Sequence, residues 1–391
     1  MLRTNLGQRI PEGMRDLLPE EVAVQERLEN DIMTLFRKWS YQKVLTPTLE
    51  FCACVQPDIE QENLLYKFFD REGRILALRP ELTMPIARLV STRMRGAELP
   101  LRLCYSADVY RNTTVRHREF RQVGVELIGS DQELADAEVI ALAVEAIGAL
   151  GLKNYQFNLG HMGIFSGLML EAGVDAPMQA KLEEALARKD MVGVESWVRQ
   201  SGLPDHVQEL LMRFPHFHGG EEILDEVLLW SERPAIREAV ESLRRIYRYL
   251  HDFGVQANVS LDLGILRGFS YYTGAVFEGY VPGMGFPVVE GGRYDTLYAD
   301  FGVPQPATGF AIHLGNLLEQ FPLPPVEGAE ILVYGSNDQQ VIHQCQSLRA
   351  QGKRVEMVFG TIDGDGAHKI ALEKNIPEVL CVGANVEKGV S

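Results

Sequence analysis

The chain has 391 residues, 46% hydrophobic and 24% charged, which is enough to bury a core in two or three domains and too apolar for a disordered protein. Its 54 acidic against 38 basic residues give a formal net charge of -16. That balance excludes broad electrostatic capture of a polyanion, which needs clustered Lys and Arg, and leaves only a local basic groove open.

In chain order, Pro19, Glu20 and Glu21 suit the first turn of a helix, where a missing N–H is harmless and acids meet the positive dipole end. Val22, Leu28, Ile32, Leu35, Phe36 and Trp39 extend it as an apolar stripe to about Ser40. A strand over 43–49 contains Pro47, which confines it to an edge or an interface. Strands are expected over 74–78, 101–110 and 120–128, a helix over 84–94, and a strongly amphipathic helix over 136–150. From about Gly163 to Phe253 the pattern becomes successive helices (176–188, 191–200, 205–213, 221–229, 234–253), read as a helical insertion or lid. Sheet patterning returns over 259–263, 271–279 and 288–294. Phe321-Pro322-Leu323-Pro324-Pro325 opens a linker over 321–328. It separates a core of residues 1–320 from a small βαβαβ domain, 329–391, expected to end after its third strand.

Several chemistries are missing their motifs. There is no G-x-x-x-x-G-K-[ST], no G-x-G-x-x-G after a strand, no G-x-S-x-G and no H-E-x-x-H. His216-Phe217-His218 lacks a third ligand, so no metal is expected. Cys52, Cys54, Cys104, Cys345 and Cys381 are odd in number and scattered, and read as buried free thiols rather than a disulfide framework. No apolar signal core opens the chain and no run of about 18 apolar residues occurs, which makes the cytoplasm the simplest compartment and no membrane partner expected.

Four segments carry the functional signal. They are Leu78-Arg79-Pro80-Glu81-Leu82-Thr83; Tyr110-Arg111-Asn112-Thr113 with Arg116 to Glu126; Leu266-Arg267-Gly268-Phe269-Ser270-Tyr271-Tyr272-Thr273-Gly274; and Glu290-Gly291-Gly292-Arg293-Tyr294-Asp295 with Ala307 to Ile312. Together, in this order, they resemble the class II aminoacyl-tRNA synthetase core of histidyl-tRNA synthetases across residues 8–320. The resemblance implies an α+β fold, an antiparallel sheet core flanked by helices, with the helical insertion and a truncated C-terminal α/β domain of the anticodon-binding kind. It also implies a homodimer through the helix and Pro47 strand of the first motif.

Histidine presents an ammonium, a carboxylate and an imidazole, and buried recognition must pair every one of them. Glu81 and Thr83, two apart, face one way on a strand or extended loop, and match the family positions that take the ammonium. Gln122 and Glu126 share a face four apart; with Tyr272, beside Tyr271, they match the positions around carboxylate and ring. Glu126 suits a ring N–H through a charge-assisted hydrogen bond. Arg267 matches the Arg that approaches the carboxylate, and Arg111 the second-motif Arg that meets the α-phosphate in the family. The same residue types also suit a structural network in which Arg111 and Arg267 pair with Glu81 or Glu126 and Tyr272 is core.

The nucleotide side departs from the family. Thr113 stands where a Glu reads adenine, and Thr114-Val115 replaces a longer basic, glycine-containing loop. His313-Leu314-Gly315-Asn316 replaces Gly-x-Glu-Arg, so Asn316 takes the place of the cation against the phosphates, and Ser270 replaces an Asp of the histidyl signature. Loss of preorganised charge there makes adenylate formation improbable. This pattern is similar to that of the regulatory subunits of ATP phosphoribosyltransferase, synthetase paralogues without aminoacylation activity. The resemblance implies a short-form catalytic subunit as partner in a hetero-octamer, L-histidine as effector of the first step of histidine biosynthesis, no tRNA, no cofactor and no catalytic residue. A working but divergent histidyl-tRNA synthetase is the alternative.

Overall fold

A computed structural model describes residues 8–55, 63–113, 117–175, 190–230, 233–265, 271–325, 327–360 and 362–383, with 179, 181, 182 and 185. The chain divides into two compact units, Met1–Pro322 and Leu323–Ser391. The strands are β1 (Gln42–Lys43), β2 (Leu49–Phe51), β3 (Lys67–Phe69), β4 (Ile75–Leu78), β5 (Leu101–Tyr110), β6 (Glu119–Ile128), β7 (Gln156–His161), β8 (His218–Gly219), β9 (Val259–Asp262), β10 (Ala275–Tyr280), β11 (Val289–Arg293), β12 (Ala307–His313), β13 (Ile331–Gly335), β14 (Val355–Met357) and β15 (Glu378–Val382).

In the first unit, nine strands form one sheet in the order β1-β5-β6-β12-β11-β10-β7-β9-β8. The run from β5 through β12, β11 and β10 to β7 is antiparallel, while β1 pairs β5 and β9 pairs β7 in parallel. Alternation sorts the two faces of this sheet. On β6, Val123, Val125 and Leu127 join the main core together with Phe310 and Ile312 of β12. The opposite face of β5 and β6 belongs to a second cluster with Tyr105, Tyr271, Tyr294 and Tyr298. Between them on that face stand Gln122, Gly124 and Glu126, two buried polar groups and a glycine where a half-exposed sheet would meet water.

The helix Glu133–Ala149 packs on the core face, against the helices Pro19–Lys38 and Pro234–Asp252. It is buried nearly all round, including Val139, Ile140, Leu142, Val144 and Ile147, so the expected amphipathic stripe is not what forms. Layers press on it from both sides, and its alanines let them approach closely. Its remaining acids are tied down: Arg102 grips Glu138 in a fork at 2.7 Å and 2.7 Å, and Trp39 Nε1 donates to Glu145 at 3.2 Å. The expected 43–49 strand splits into β1 and β2 around Pro47, which has no N–H for a ladder. The buried Arg79 guanidinium takes up the carbonyls left there, donating to Thr46 O at 2.7 Å, Pro47 O at 3.2 Å and Asp108 O at 2.8 Å.

Three strands of the central sheet, β7, β8 and β12, were not expected as strands, nor was the helix Met162–Ala172. The helices Met191–Gln200, Asp205–Arg213, Glu222–Trp230 and Pro234–Asp252 lie where helices were expected; that over 176–188 lies largely outside the described residues. Their buried side chains, among them Val194, Leu224 and Val240, share the main core with the sheet. In the second unit β13 lies between β14 and β15, all parallel. Its alternate residues face two cores, Ile331 and Val333 with the helix Asp338–Ala350, Leu332 with the helix Gly364–Glu373. Of the five free thiols, Cys381 is exposed and Cys54 partly so, against the expectation that all are buried. No helix among the described residues is long and apolar enough to cross a membrane.

One buried ion pair fastens the core helix to the sheet. Arg293 Nε donates to both Asp136 oxygens at 3.1 and 3.0 Å, and its other nitrogens reach Ser130 O and Gln132 O. The two side chains are 8% and 3% exposed. Removing one partner strands the other charge in the interior, so Asp136→Ala is expected to lower unfolding free energy by about 3–5 kcal/mol. Urea denaturation reads this as a fallen midpoint, whereas Arg199→Ala, in the exposed pair with Glu195, leaves the midpoint in place.

Candidate functional site

The buried polar face of the sheet opens into a cavity. Seven of the eight candidate residues line it: Glu81, Thr83, Arg111, Gln122, Glu126, Tyr271 and Tyr272. Arg267 lies outside the described residues. The cavity volume is about 20 Å³, room for a single water, so an amino acid enters only when lining groups give way.

Glu81 and Thr83 do not sit on an extended segment as expected. Thr83 begins the helix Thr83–Arg93, and the Glu81 carboxylate accepts the N–H groups of Thr83 and of Met84, the latter at 3.0 Å. Glu81 thereby caps the helix, satisfying amides that have no partner within it. Thr83 Oγ1 in turn donates to Glu126 Oε1 at 2.9 Å. The Tyr294 hydroxyl donates to Glu126 Oε2. Glu81 and Glu126 are 3% and 1% exposed. Gln122 and Glu126 do share a face of β6, as their spacing required.

The register across the sheet explains the remaining lining. Gly309 of β12 lies opposite Glu126, and a Cβ there would overlap the Glu126 carboxylate and the Val125 carbonyl. Only glycine leaves room for the acid. A Cβ on Gly292 would come 2.9 Å from the Tyr272 ring, so the Gly-Gly-Arg-Tyr stretch lets that tyrosine lie against β11. Gln122 faces His313 of β12, and Glu290 of β11 faces Ala311. Glu290, Tyr294 and His313 thus line the cavity without having been assigned to it. The alternation of Glu290 with Gly292, on a strand opposite Ala307–His313, was the available signal.

Electrostatically the cavity is an acceptor site. Burial pushes the Glu126 carboxyl up to about 8, with Glu81 adding to the rise and the hydrogen bonds from Tyr294 and Thr83 opposing it. Without a ligand cation, Glu126 is therefore largely protonated at neutral pH, rather than the ready anion the sequence reading assumed. Glu81 is also raised by burial, against the Met84 and Thr83 amides and the Arg111 charge. The Gln122 Oε1 atom is buried with no hydrogen-bond partner among the described residues. Arg111 Nε donates to Pro80 O at 2.9 Å, and its guanidinium lies 5.2 Å over the Phe120 ring. That nitrogen pairs with neither Glu81 nor Glu126. Among the described residues no group of three or more His, Cys, Asp or Glu could hold a metal ion.

A second cavity of about 420 Å³, more apolar, adjoins the first. Thr113 and Asn316, two of the positions that depart from the synthetase pattern, both line it, with Phe120, Met284 and Phe286. Its acids are Glu290 and Glu319.

Sheet, paired cavities and motif order define a protein of the histidyl-tRNA synthetase-like class. Residues 13–317 match the family model described as histidyl-tRNA synthetase. The chain is also similar to a solved histidyl-tRNA synthetase from Nostoc (TM-score 0.79, 21% identity, 94% of this chain and 90% of that one), a likeness of fold. Within the class it is similar to the ATP phosphoribosyltransferase regulatory subunit of Desulfitobacterium hafniense, 59% identical over 98% of this chain and 100% of that one. The subunit from Moorella thermoacetica is 43% identical over 90% and 93%. A solved ATP phosphoribosyltransferase regulatory subunit/histidyl-tRNA synthetase from Bacillus halodurans covers 96% of this chain and 98% of its own, at TM-score 0.85 and 31% identity. The chain belongs to the family of ATP phosphoribosyltransferase regulatory subunits.

The buried acid leaves a thermodynamic signature. With a folded pKa of about 8 against 4.5 unexposed to the fold, Glu126 makes the native state bind more protons than the unfolded one across that interval. Stability then falls as pH rises from about 4.5 to 8, by a few kcal/mol in total. Urea unfolding of the wild type from pH 5.5 to 8 is expected to show this decline, and Glu126→Gln to flatten it.

Proposed function

We infer that this chain is a non-catalytic regulatory subunit that binds L-histidine and conveys its level to ATP phosphoribosyltransferase, at the first step of histidine biosynthesis. The carrying observation is the buried cluster of acceptors, Glu81, Glu126 and Gln122, with an amide oxygen still lacking a donor. A buried acceptor without a partner favours a ligand that brings N–H groups. Glu81 and Thr83 receive the ammonium. Gln122, Glu126, Tyr271 and Tyr272 surround the ring and carboxylate, with Arg111 and Arg267 on the anionic end. A cationic group entering beside Glu126 draws off its proton and turns the contact into a charge-assisted one.

The adjoining cavity supports the loss of aminoacylation. Asn316 and Thr113 stand in its lining where the resembled motifs carry a cation and an adenine-reading Glu, and Glu290 and Glu319 offset the charge that Arg111 brings. The names of the relatives support the regulatory role and imply a catalytic chain as partner. The fuller reading is a cytoplasmic hetero-octamer with the short-form catalytic subunit, built on a homodimer of the synthetase-like core, that takes no tRNA. Regulation requires histidine to bind one state of that assembly better than another.

Calorimetry on the purified chain is expected to show L-histidine binding and none of ATP, with no histidine-dependent pyrophosphate exchange. Gln122→Ala and Glu126→Gln are each expected to weaken histidine by about tenfold or more. Mixing with a short catalytic subunit is expected to give a larger species by size-exclusion chromatography and to raise its activity. Tight ATP binding with pyrophosphate exchange would instead establish a divergent synthetase.

A further inference from the structure

The two cavities share three lining residues, Arg111, Glu290 and His313. Glu290 and His313 share one face of the sheet, and Arg111 follows directly on the end of β5. His313 lies opposite Gln122 on β6, and Glu290 is the diagonal neighbour of His313 through its pairing with Ala311. His313 Nε2 is 2.9 Å from Glu290 Oε2. Its imidazole stacks on Phe120, centroids 5.1 Å apart and planes inclined by 26°, while Arg111 lies over the same ring. The His313 side chain is 9% exposed. It is held on one side by a carboxylate and on the other by a ring that is itself clamped, so it has little freedom to swing aside.

We propose that the His313–Glu290 pair is a partition that makes the amino-acid pocket specific for a free carboxylate end, excluding any form of the amino acid extended through its carboxyl group. This rests on the reading that the smaller cavity takes an amino acid. Arg111 is the one guanidinium among the described lining residues and stands on the partition. The carboxylate of a bound amino acid therefore points at His313. An amide or ester substituent would have to pass through the imidazole to reach the larger cavity, whose apolar lining would otherwise receive it. His313 stands where the resembled motif has glycine, so the wall is a property of this side chain rather than of the backbone. Charge and bulk act together here: the imidazole and Arg111 favour a terminal carboxylate, and the ring of His313 stands on the boundary that the two cavities share among the described residues.

The test compares L-histidine, L-histidinamide and L-histidine β-naphthylamide by calorimetry on the full chain. The simple amide removes the charge without the bulk, so the naphthylamide-to-amide ratio reads extension alone. Wild type is expected to bind the naphthylamide about tenfold or more weakly than the simple amide, and His313→Ala and Glu290→Ala to lower that ratio by about tenfold or more. His313→Gln, which can keep the bond to Glu290, is expected to hold it. Equal binding of both amides by wild type, or an unchanged ratio in both alanine variants, overturns the partition. If wild type binds no L-histidine, the functional reading falls instead, and crystal structures of wild type and the alanine variants decide the partition alone. One continuous cavity in a variant supports it; two cavities still divided overturn it.

Discussion

A carboxyl group buried in the middle of a sheet is the constraint around which this molecule is arranged. Glu126 is 1% exposed on β6, and a charge so placed is untenable without partners or a proton. Relief comes from separate parts of the chain. Thr83 reaches it from the start of a helix, and Tyr294 from the end of β11. Gly309 is required opposite because any side chain would occupy the carboxyl group's own space. The seating of the Thr83–Arg93 helix, the course of the chain after β11 and the glycine in β12 all follow from accommodating this one group.

The same accommodation creates binding potential. Two acids enclosed together, one of them carrying its proton up to about pH 8, form a site that gains most from a ligand bringing cationic or N–H groups. The neighbouring cavity is more apolar, with Glu290, Glu319 and Arg111 as its charged lining and Asn316 and Thr113 beside them. Of the two cavities, the smaller is the one that gathers the buried acceptors. Phe120, with the His313 ring stacked on it and the Arg111 guanidinium over it, keeps the boundary between the two sites rigid.

Much of this was legible in the residues. The alternation along β5 and β6 survives any context because side chains on a strand point to opposite faces. Motif order located Glu81, Thr83, Gln122, Glu126, Tyr271 and Tyr272, which line one cavity although nearly 200 residues separate the first from the last. Less legible were elements defined by what surrounds them. The Glu133–Ala149 helix reads as one-sided until layers close over both of its faces. The β7 strand, Gln156–His161, hides its alternating Phe157 and Leu159 among Asn, Gly and His that read as turn.

The sequence by itself determined which chemistry was present: acids, an amide, tyrosines and an arginine in a known order, and the loss of a cation at Asn316. Tertiary structure decided which groups meet and in what state. Glu126 keeps its proton because burial beside Glu81 removes the water that would stabilise its charge. Glu81 became a helix cap because the chain turns into a helix at Thr83. His313 and Glu290 became neighbours because the register of β11 and β12 sets them diagonally on one face of the sheet. Hydrogen-bond register between strands distant in the chain is a property of the folded sheet, and no local pattern of residues contains it.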